Sequence, residues 1–187
     1  MQITEATAVV LCGGKSSRMG FDKALLKIDH QYVVQKTCQN LQKIFAEILL
    51  VTDRKDKFPD QIQRQYSIVE DEFYQKGPLG GLVTALHHIK TPYLFLIACD
   101  IPNVSLTDIH QLYEQIQDRQ VVLFADNYLE TLFAFYHQSC LPILEKQLEK
   151  GELKIRTAFS KLDVKQVKTP HLILKNINEP NELNEWK

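Results

Sequence analysis

Ala6-Thr-Ala-Val-Val-Leu11 runs directly into Cys12-Gly-Gly-Lys-Ser-Ser-Arg-Met-Gly-Phe-Asp-Lys23. The first segment is apolar on both faces apart from Thr7, as in a central strand covered by helices on each side. The second carries Gly13, Gly14 and Gly20 and opens a stretch, Lys15 to Lys27, with four cations against one anion. Glycine amides can approach a ligand without a Cβ in the way, and clustered positive charge suits a polyphosphate. Two familiar phosphate loops do not fit. Gly14 and Gly20 are too far apart for a Walker A loop, and Phe21 follows them. The dinucleotide fingerprint needs a residue between its first two glycines, and here they are adjacent.

Working outward, Ile48–Val51, Ser67–Val69 and Tyr93–Ala98 read as further strands of the same two-sided kind. Between them Val34, Cys38, Leu41 and Phe45 recur at helical spacing, as do Leu82, Leu86 and Ile89. Strands alternating with amphipathic helices predict a doubly wound α/β fold with a mostly parallel sheet. Ser105-Leu-Thr-Asp108 is a helix-opening pattern running to about Ile116. Val121–Ala125 and Thr131–Tyr136 read as strands around a turn at Asp126-Asn127. Leu141–Lys150 reads as a helix stopped by Gly151. Asp163–Lys168 and Leu172–Lys175 are strand candidates, and Pro180–Trp186 is a short helix candidate. No linker or repeat interrupts the chain, so residues 1–187 are expected to form a single domain.

Composition narrows the class. The 187 residues carry 22 Lys and Arg against 23 Asp and Glu, a net charge of −1. Nucleic-acid binding through a basic face is thereby excluded. With 44% hydrophobic residues a core forms without staples. The four cysteines, Cys12, Cys38, Cys99 and Cys140, show no metal-site spacing. Met1-Gln-Ile-Thr-Glu5 lacks the marks of a signal peptide, and Tyr93–Cys99, the longest apolar stretch, is far too short to span a bilayer. The expectation is a reduced, soluble, cytoplasmic protein without membrane contact.

The run G-G-x-S-x-R-M-G-x-D-K, from Gly13 to Lys23, resembles the signature of nucleotidyltransferases that use a nucleoside triphosphate and release pyrophosphate. Within that group it is most similar to the molybdenum cofactor guanylyltransferases. Cytidylyltransferases for the same pterin tend to have two alanines where this chain has Cys12-Gly13, and Cys12 itself departs from the usual Ala. Ile68-Val-Glu-Asp71, Gly77-Pro-Leu-Gly-Gly-Leu82, Ala98-Cys-Asp100-Ile-Pro102 and Asn176-Ile-Asn178-Glu-Pro180 extend the resemblance along the chain. From about Leu112 to Val167 it has little to match.

The resemblance implies transfer of GMP from GTP to the phosphate of molybdenum-molybdopterin. The nucleotide-binding half would be N-terminal and the second-substrate side C-terminal. Leu11, Cys12, Gly13 and Gly14 would act through backbone groups, and Lys23 through its charge on the triphosphate. Arg18 offers a planar fork for phosphate. Asp71 would contact GTP. Asp100 ends a buried strand and would hold Mg²⁺, with Asn178 as a weaker second ligand candidate. Asp22 reads as orienting Lys23 or Arg18, and His87-His88 as structural. Other molybdenum cofactor proteins are candidate partners. A cytidylyltransferase, a sugar-1-phosphate nucleotidyltransferase and a non-catalytic nucleotide-binding regulator stay open beside this reading.

Overall fold

Side chains of strand β1 (Ala6–Leu11) alternate between two hydrophobic cores. Ala6, Ala8 and Val10 enter one core and Val9 and Leu11 the other, as a period of two requires. The computed structural model describes residues 2–13, 22–28, 30–73, 75–101, 104–126 and 128–168. After β1 comes a short antiparallel pair, β2 (Lys27–Ile28) and β3 (Gln31–Tyr32), and then α1 (Val33–Leu41). There follow β4 (Ile48–Thr52), α2 (Asp60–Gln65), β5 (Ser67–Glu70), α3 (Gly77–His88), β6 (Tyr93–Ala98) and α4 (Leu106–Tyr113). The described chain closes with β7 (Val121–Ala125), β8 (Leu129–His137), α5 (Leu141–Glu149) and β9 (Val164–Val167).

The main sheet has the order β5-β4-β1-β6-β8-β7-β9. Pairing is parallel from β5 through β4 and β1 to β6, and again between β7 and β9. β8 runs antiparallel to both its neighbours. The doubly wound, mostly parallel expectation therefore holds. Helices α1, α2 and α4 supply Val34, Cys38, Leu41, Ile62, Ile109 and Leu112 to one core. Helices α3 and α5 supply Leu79, Leu82, Leu86, Leu144 and Leu148 to the other. In the first core Phe95 is met edge-on by Phe133 and at a tilt by Phe135, both at 5.0 Å between ring centres. Such aromatic pairs add about 0.5–1.5 kcal/mol each beyond the area they bury.

Topology then positions the site. From β1 the chain moves outward through β4 to β5 and returns to lay β6 on the opposite side of β1. Leu11 consequently pairs with Val51 on one side and Ala98 on the other. Such a reversal opens a crevice beyond the carboxyl ends of the strands, where open α/β sheets bind ligands.

Local readings were close, with physical reasons for the differences. Helix α1 ends at Leu41, before Phe45. Phe45 is still buried, held in a bridge with Ile3 that tertiary contact alone supplies. β8 begins at Leu129, ahead of the expected Thr131, because its pairing with β7 extends to Ala125. Ser105 caps α4 by accepting from the Asp108 amide at 3.2 Å. Gly151, with φ +73°, ends the α5 region as its sequence predicts. β2, β3 and α2 are too short to leave a periodic signal. The Leu172–Lys175 and Pro180–Trp186 candidates lie outside the described residues. Among the described residues the four cysteines are buried and unbridged, and no helix is long and apolar enough to cross a membrane.

The turn after β5 is tied to α3 and α5 by a polar cluster. His87 places Nδ1 2.7 Å from Glu72 Oε2 and Nε2 2.8 Å from Glu145 Oε1, while His88 Nε2 lies 2.8 Å from Glu72 Oε1. A neutral imidazole donates from one nitrogen only, so carboxylates at both favour the cation. The bonds to Glu145 and Glu72 raise the His87 pKa above its ordinary 6.5, against the opposing effect of partial burial. With the folded value above the unfolded one, this stabilisation is complete below pH 6.5 and is lost as pH rises through the folded value. We expect the melting temperature to fall as pH rises above 6.5, less steeply in His87→Gln. A slope unchanged by the substitution would assign the titration to another group.

Candidate active site

The end of β1 is anchored before the loop begins. Cys12 donates its amide to the Val51 carbonyl at 2.7 Å, and the Cys99 amide reaches the Leu11 carbonyl at 3.1 Å. Gly13 then lies so near the exit of β4 that a Cβ there would stand 3.3 Å from the Asp53 nitrogen. The absence of a Cβ at Gly13 leaves room for this close approach. The Cys12 thiol is buried, and burial with Cys99 beside it pushes its pKa well above 9.0. It stays protonated and is no nucleophile.

Asp100 stands two residues beyond β6, across the crevice from Cys12. Its Oδ2 accepts from Lys23 Nζ at 3.0 Å, in a pair with side chains 13% and 19% exposed. Its Oδ1 is buried and has no hydrogen-bond partner among the described residues. A buried carboxylate oxygen left in this state costs about 1–3 kcal/mol unless something occupies it. A hard divalent cation is the fitting occupant, since Mg²⁺ takes carboxylate oxygens and keeps most of its remaining shell as water and phosphate. One such carboxylate oxygen is compatible with the divalent ion that the resemblance implies; among the described residues no group of three or more His, Cys, Asp or Glu side chains is placed to hold a metal ion.

On the other flank the Asp71 amide bonds to the Thr52 carbonyl at 2.7 Å, continuing the β4–β5 ladder. Asp71 Oδ1 accepts from the Phe73 amide at 2.9 Å and from the Thr84 hydroxyl at 3.0 Å. One carboxylate oxygen is thus committed to seating α3. That helix approaches closely because Gly80 lacks a side chain: a Cβ would stand 2.9 Å from the Phe73 carbonyl oxygen.

Lys57 is the residue that sequence reasoning missed. It sits in Arg54-Lys-Asp-Lys57, which reads as a solvated charge run. Its side chain is only 5% exposed and pairs with Asp22 at 2.6 Å and Asp53 at 2.8 Å. Burial opposes its charge, yet the bonds to Asp22 and Asp53 hold its pKa above the ordinary 10.5. Asp22, expected to orient Lys23 or Arg18, caps the Lys23–Leu25 turn through the Ala24 amide at 3.0 Å and pairs with Lys57; Arg18 lies outside the described residues. No local signal distinguishes Lys57 from its neighbours.

The structure therefore gathers Leu11, Cys12, Gly13, Lys23 and Asp100 at one crevice, with Asp71 at the end of β5, beyond β4. Gly14, Lys15, Arg18 and Asn178 lie outside the described residues. A groove of about 740 Å³ sits further along, lined by Pro78, Tyr128, Lys154, Arg156 and Lys168 among others. Another, of about 410 Å³, opens near Thr7, Ile48 and Ser67 at the amino ends of β1, β4 and β5, away from these residues.

The family described as MobA-like NTP transferase domain matches residues 8–167. The chain belongs to that family. A Flavobacterium johnsoniae protein named probable molybdenum cofactor guanylyltransferase is 32% identical over 188 residues, covering 96% of this chain and 95% of its own. A Campylobacter jejuni protein named molybdenum cofactor guanylyltransferase is 32% identical over 171 residues, covering 89% and 87%. The solved structure of molybdopterin-guanine dinucleotide biosynthesis protein A from Archaeoglobus fulgidus superposes with a TM-score of 0.81 at 21% identity, covering 96% and 95%; at that identity it speaks for the fold. As a MobA-like NTP transferase domain, the chain places Cys12 and Gly13, just past β1, and Asp100, just past β6, on the two sides of the switch point between those strands.

Proposed function

We propose that the chain transfers GMP from GTP to the phosphate of molybdenum-molybdopterin, forming the guanine dinucleotide cofactor and releasing pyrophosphate. The observation that carries this reading is Lys23 paired to Asp100 at the switch point, with Asp100 Oδ1 buried and unpartnered among the described residues. A nucleotide sensor has no use for a charge arrangement of this kind beside the phosphates.

In this reading a pterin phosphate oxygen attacks the α-phosphorus in line, the new P–O bond forming as the bond to pyrophosphate breaks. That phosphate is already largely ionised near neutral pH, its second pKa being about 6, so no general base is required. Lys23 places its charge on the triphosphate, and the amides from Cys12 to Gly14 would cradle it. Arg18 would hold a phosphate oxygen through its planar fork. Asp100 would hold Mg²⁺, with Asn178 as a second ligand, and the bound ion would neutralise phosphate charge. The C-terminal half would take the second substrate. Its groove combines Lys154, Arg156 and Lys168 with Tyr128, which is 78% exposed, a set suited to a flat ring bearing phosphate.

Asp71 would read the base. Its Oδ1 is fixed by Phe73 and Thr84, leaving Oδ2 as the acceptor for guanine N1–H and N2–H₂. Cytosine offers no such donor pair, and an alanine at Gly13 would press on Asp53. GTP is therefore expected to exceed CTP in kcat/KM by at least about tenfold, or about 1.4 kcal/mol of transition-state binding. A competition assay with the pterin substrate and equal nucleotide concentrations tests it. Equal incorporation, or a preference for CTP, would replace the guanylyl reading with the cytidylyl one.

A further inference from the structure

We propose that Lys57 is a positioning residue for the nucleotide segment, pinning its two ends, Cys12 and Asp22, to a single ammonium. This rests on the reading that the segment after β1 holds the triphosphate.

An ammonium has three donors and no acceptor. Lys57 Nζ lies 2.7 Å from the Cys12 carbonyl, 2.8 Å from Asp53 Oδ1 and 2.6 Å from Asp22 Oδ2. All three donors are engaged by protein groups, which leaves none for a phosphate and separates Lys57 from Lys23 in role. Burying a cation is costly unless every donor finds a good acceptor, and removing one partner of such a set leaves the others uncompensated. The arrangement is therefore a fixed point. Its platform is fixed as well: Phe58, next in sequence, is buried, and the Lys55 amide is tied to Glu70 of β5 at 2.9 Å.

What Lys57 holds leads directly to the chemistry. Cys12 is the first residue beyond β1, and Asp22 caps the turn that carries Lys23. Lys23 in turn bonds Asp100. Without Lys57, Asp22 loses its cation, the Lys23 turn loses the anchor of its cap, and Asp53 is left as an unmatched charge beside Gly13. Small displacements of groups that position reacting atoms cost up to about 100-fold in rate.

Lys57→Met keeps the aliphatic stem and removes the three donors. Because it strands two carboxylates, Lys57→Met/Asp53→Asn is the decisive variant: it preserves the net charge of the cluster and the Asp22 cap. We expect the double variant to recover part of the stability that Lys57→Met loses, because one of the two stranded carboxylates is gone. Its GTP dissociation constant should rise about tenfold and its kcat/KM fall about 30-fold. Hydrogen exchange of the nucleotide-free chain should quicken in peptides covering residues 22–28. A purely structural role predicts that binding and turnover recover with stability, and that result, or unchanged exchange over 22–28, overturns the proposal. A parent chain that binds no GTP overturns the nucleotide reading instead, whichever way the exchange experiment falls.

Discussion

Asp100→Asn is expected to lower pyrophosphate release from GTP by two to three orders of magnitude while leaving the melting temperature near that of the parent. The magnitude, roughly 100- to 1000-fold, is that of removing one preorganised electrostatic group from a phosphoryl or acyl transfer site. The geometry says why so conservative a change should matter. Asp100 uses Oδ2 for Lys23 and keeps Oδ1 buried without a partner among the described residues. An amide preserves the acceptor facing Lys23 but puts an N–H₂ where the carboxylate offered negative charge. A cation cannot share that position with two protons. The fold has little at stake, because the β6 pairings with β1 and β8 are formed by backbone groups. The measurement is steady-state pyrophosphate release at saturating Mg²⁺, with a thermal melt beside it. Retention of most of the turnover would remove Asp100 from the metal assignment.

Lys23→Ala is expected to fall next in size, with turnover down about 100-fold and GTP affinity weakened as well. Two losses add here. The charge that would act on the triphosphate disappears, and Asp100 loses the ammonium that neutralises it in the nucleotide-free chain. The second loss sets Lys23 apart from an exposed lysine. Its side chain is 19% exposed and ends on a carboxylate only 13% exposed, so the pair is weakly screened. Lys23→Met, which keeps the stem, should behave like the alanine variant if charge is the working property. Titration with a slowly hydrolysed GTP analogue and single-turnover kinetics would separate the two effects. Unchanged affinity and turnover would return Lys23 to a solvated surface role.

Much of this was legible because the information was local. The apolar runs Ala6–Leu11 and Tyr93–Ala98 state their places in the sheet within a few residues, and with them the position of Gly13 and Asp100 just past the strand ends. Each apolar position on a strand must face one of two cores, and that requirement is written at a spacing of two. The strands β1, β4, β5, β6, β7 and β9 accordingly lie within a residue or two of their expected places. The cap at Ser105 and the stop at Gly151 are equally local, since each depends on one residue and the backbone next to it.

What the sequence determined by itself, then, was the longer strands and helices and the residues carried at their ends. Tertiary structure decided their neighbours. Only the order β5-β4-β1-β6 brings Cys12 and Asp100 to adjacent strand ends, and only the antiparallel insertion of β8 sets Phe133 and Phe135 against Phe95. Asp22 caps the turn of Lys23, beside it in sequence, and also bonds Lys57, 35 positions away, a partner that only the fold supplies. His87 likewise joins Glu72 to Glu145 across two elements. The physical reason is common to all of these. Hydrophobic burial repeats along the chain and can be read one element at a time. A paired charge, buried or half-exposed, is settled by whichever opposite charge the completed topology brings within hydrogen-bond reach, and nothing in its own neighbourhood names that partner.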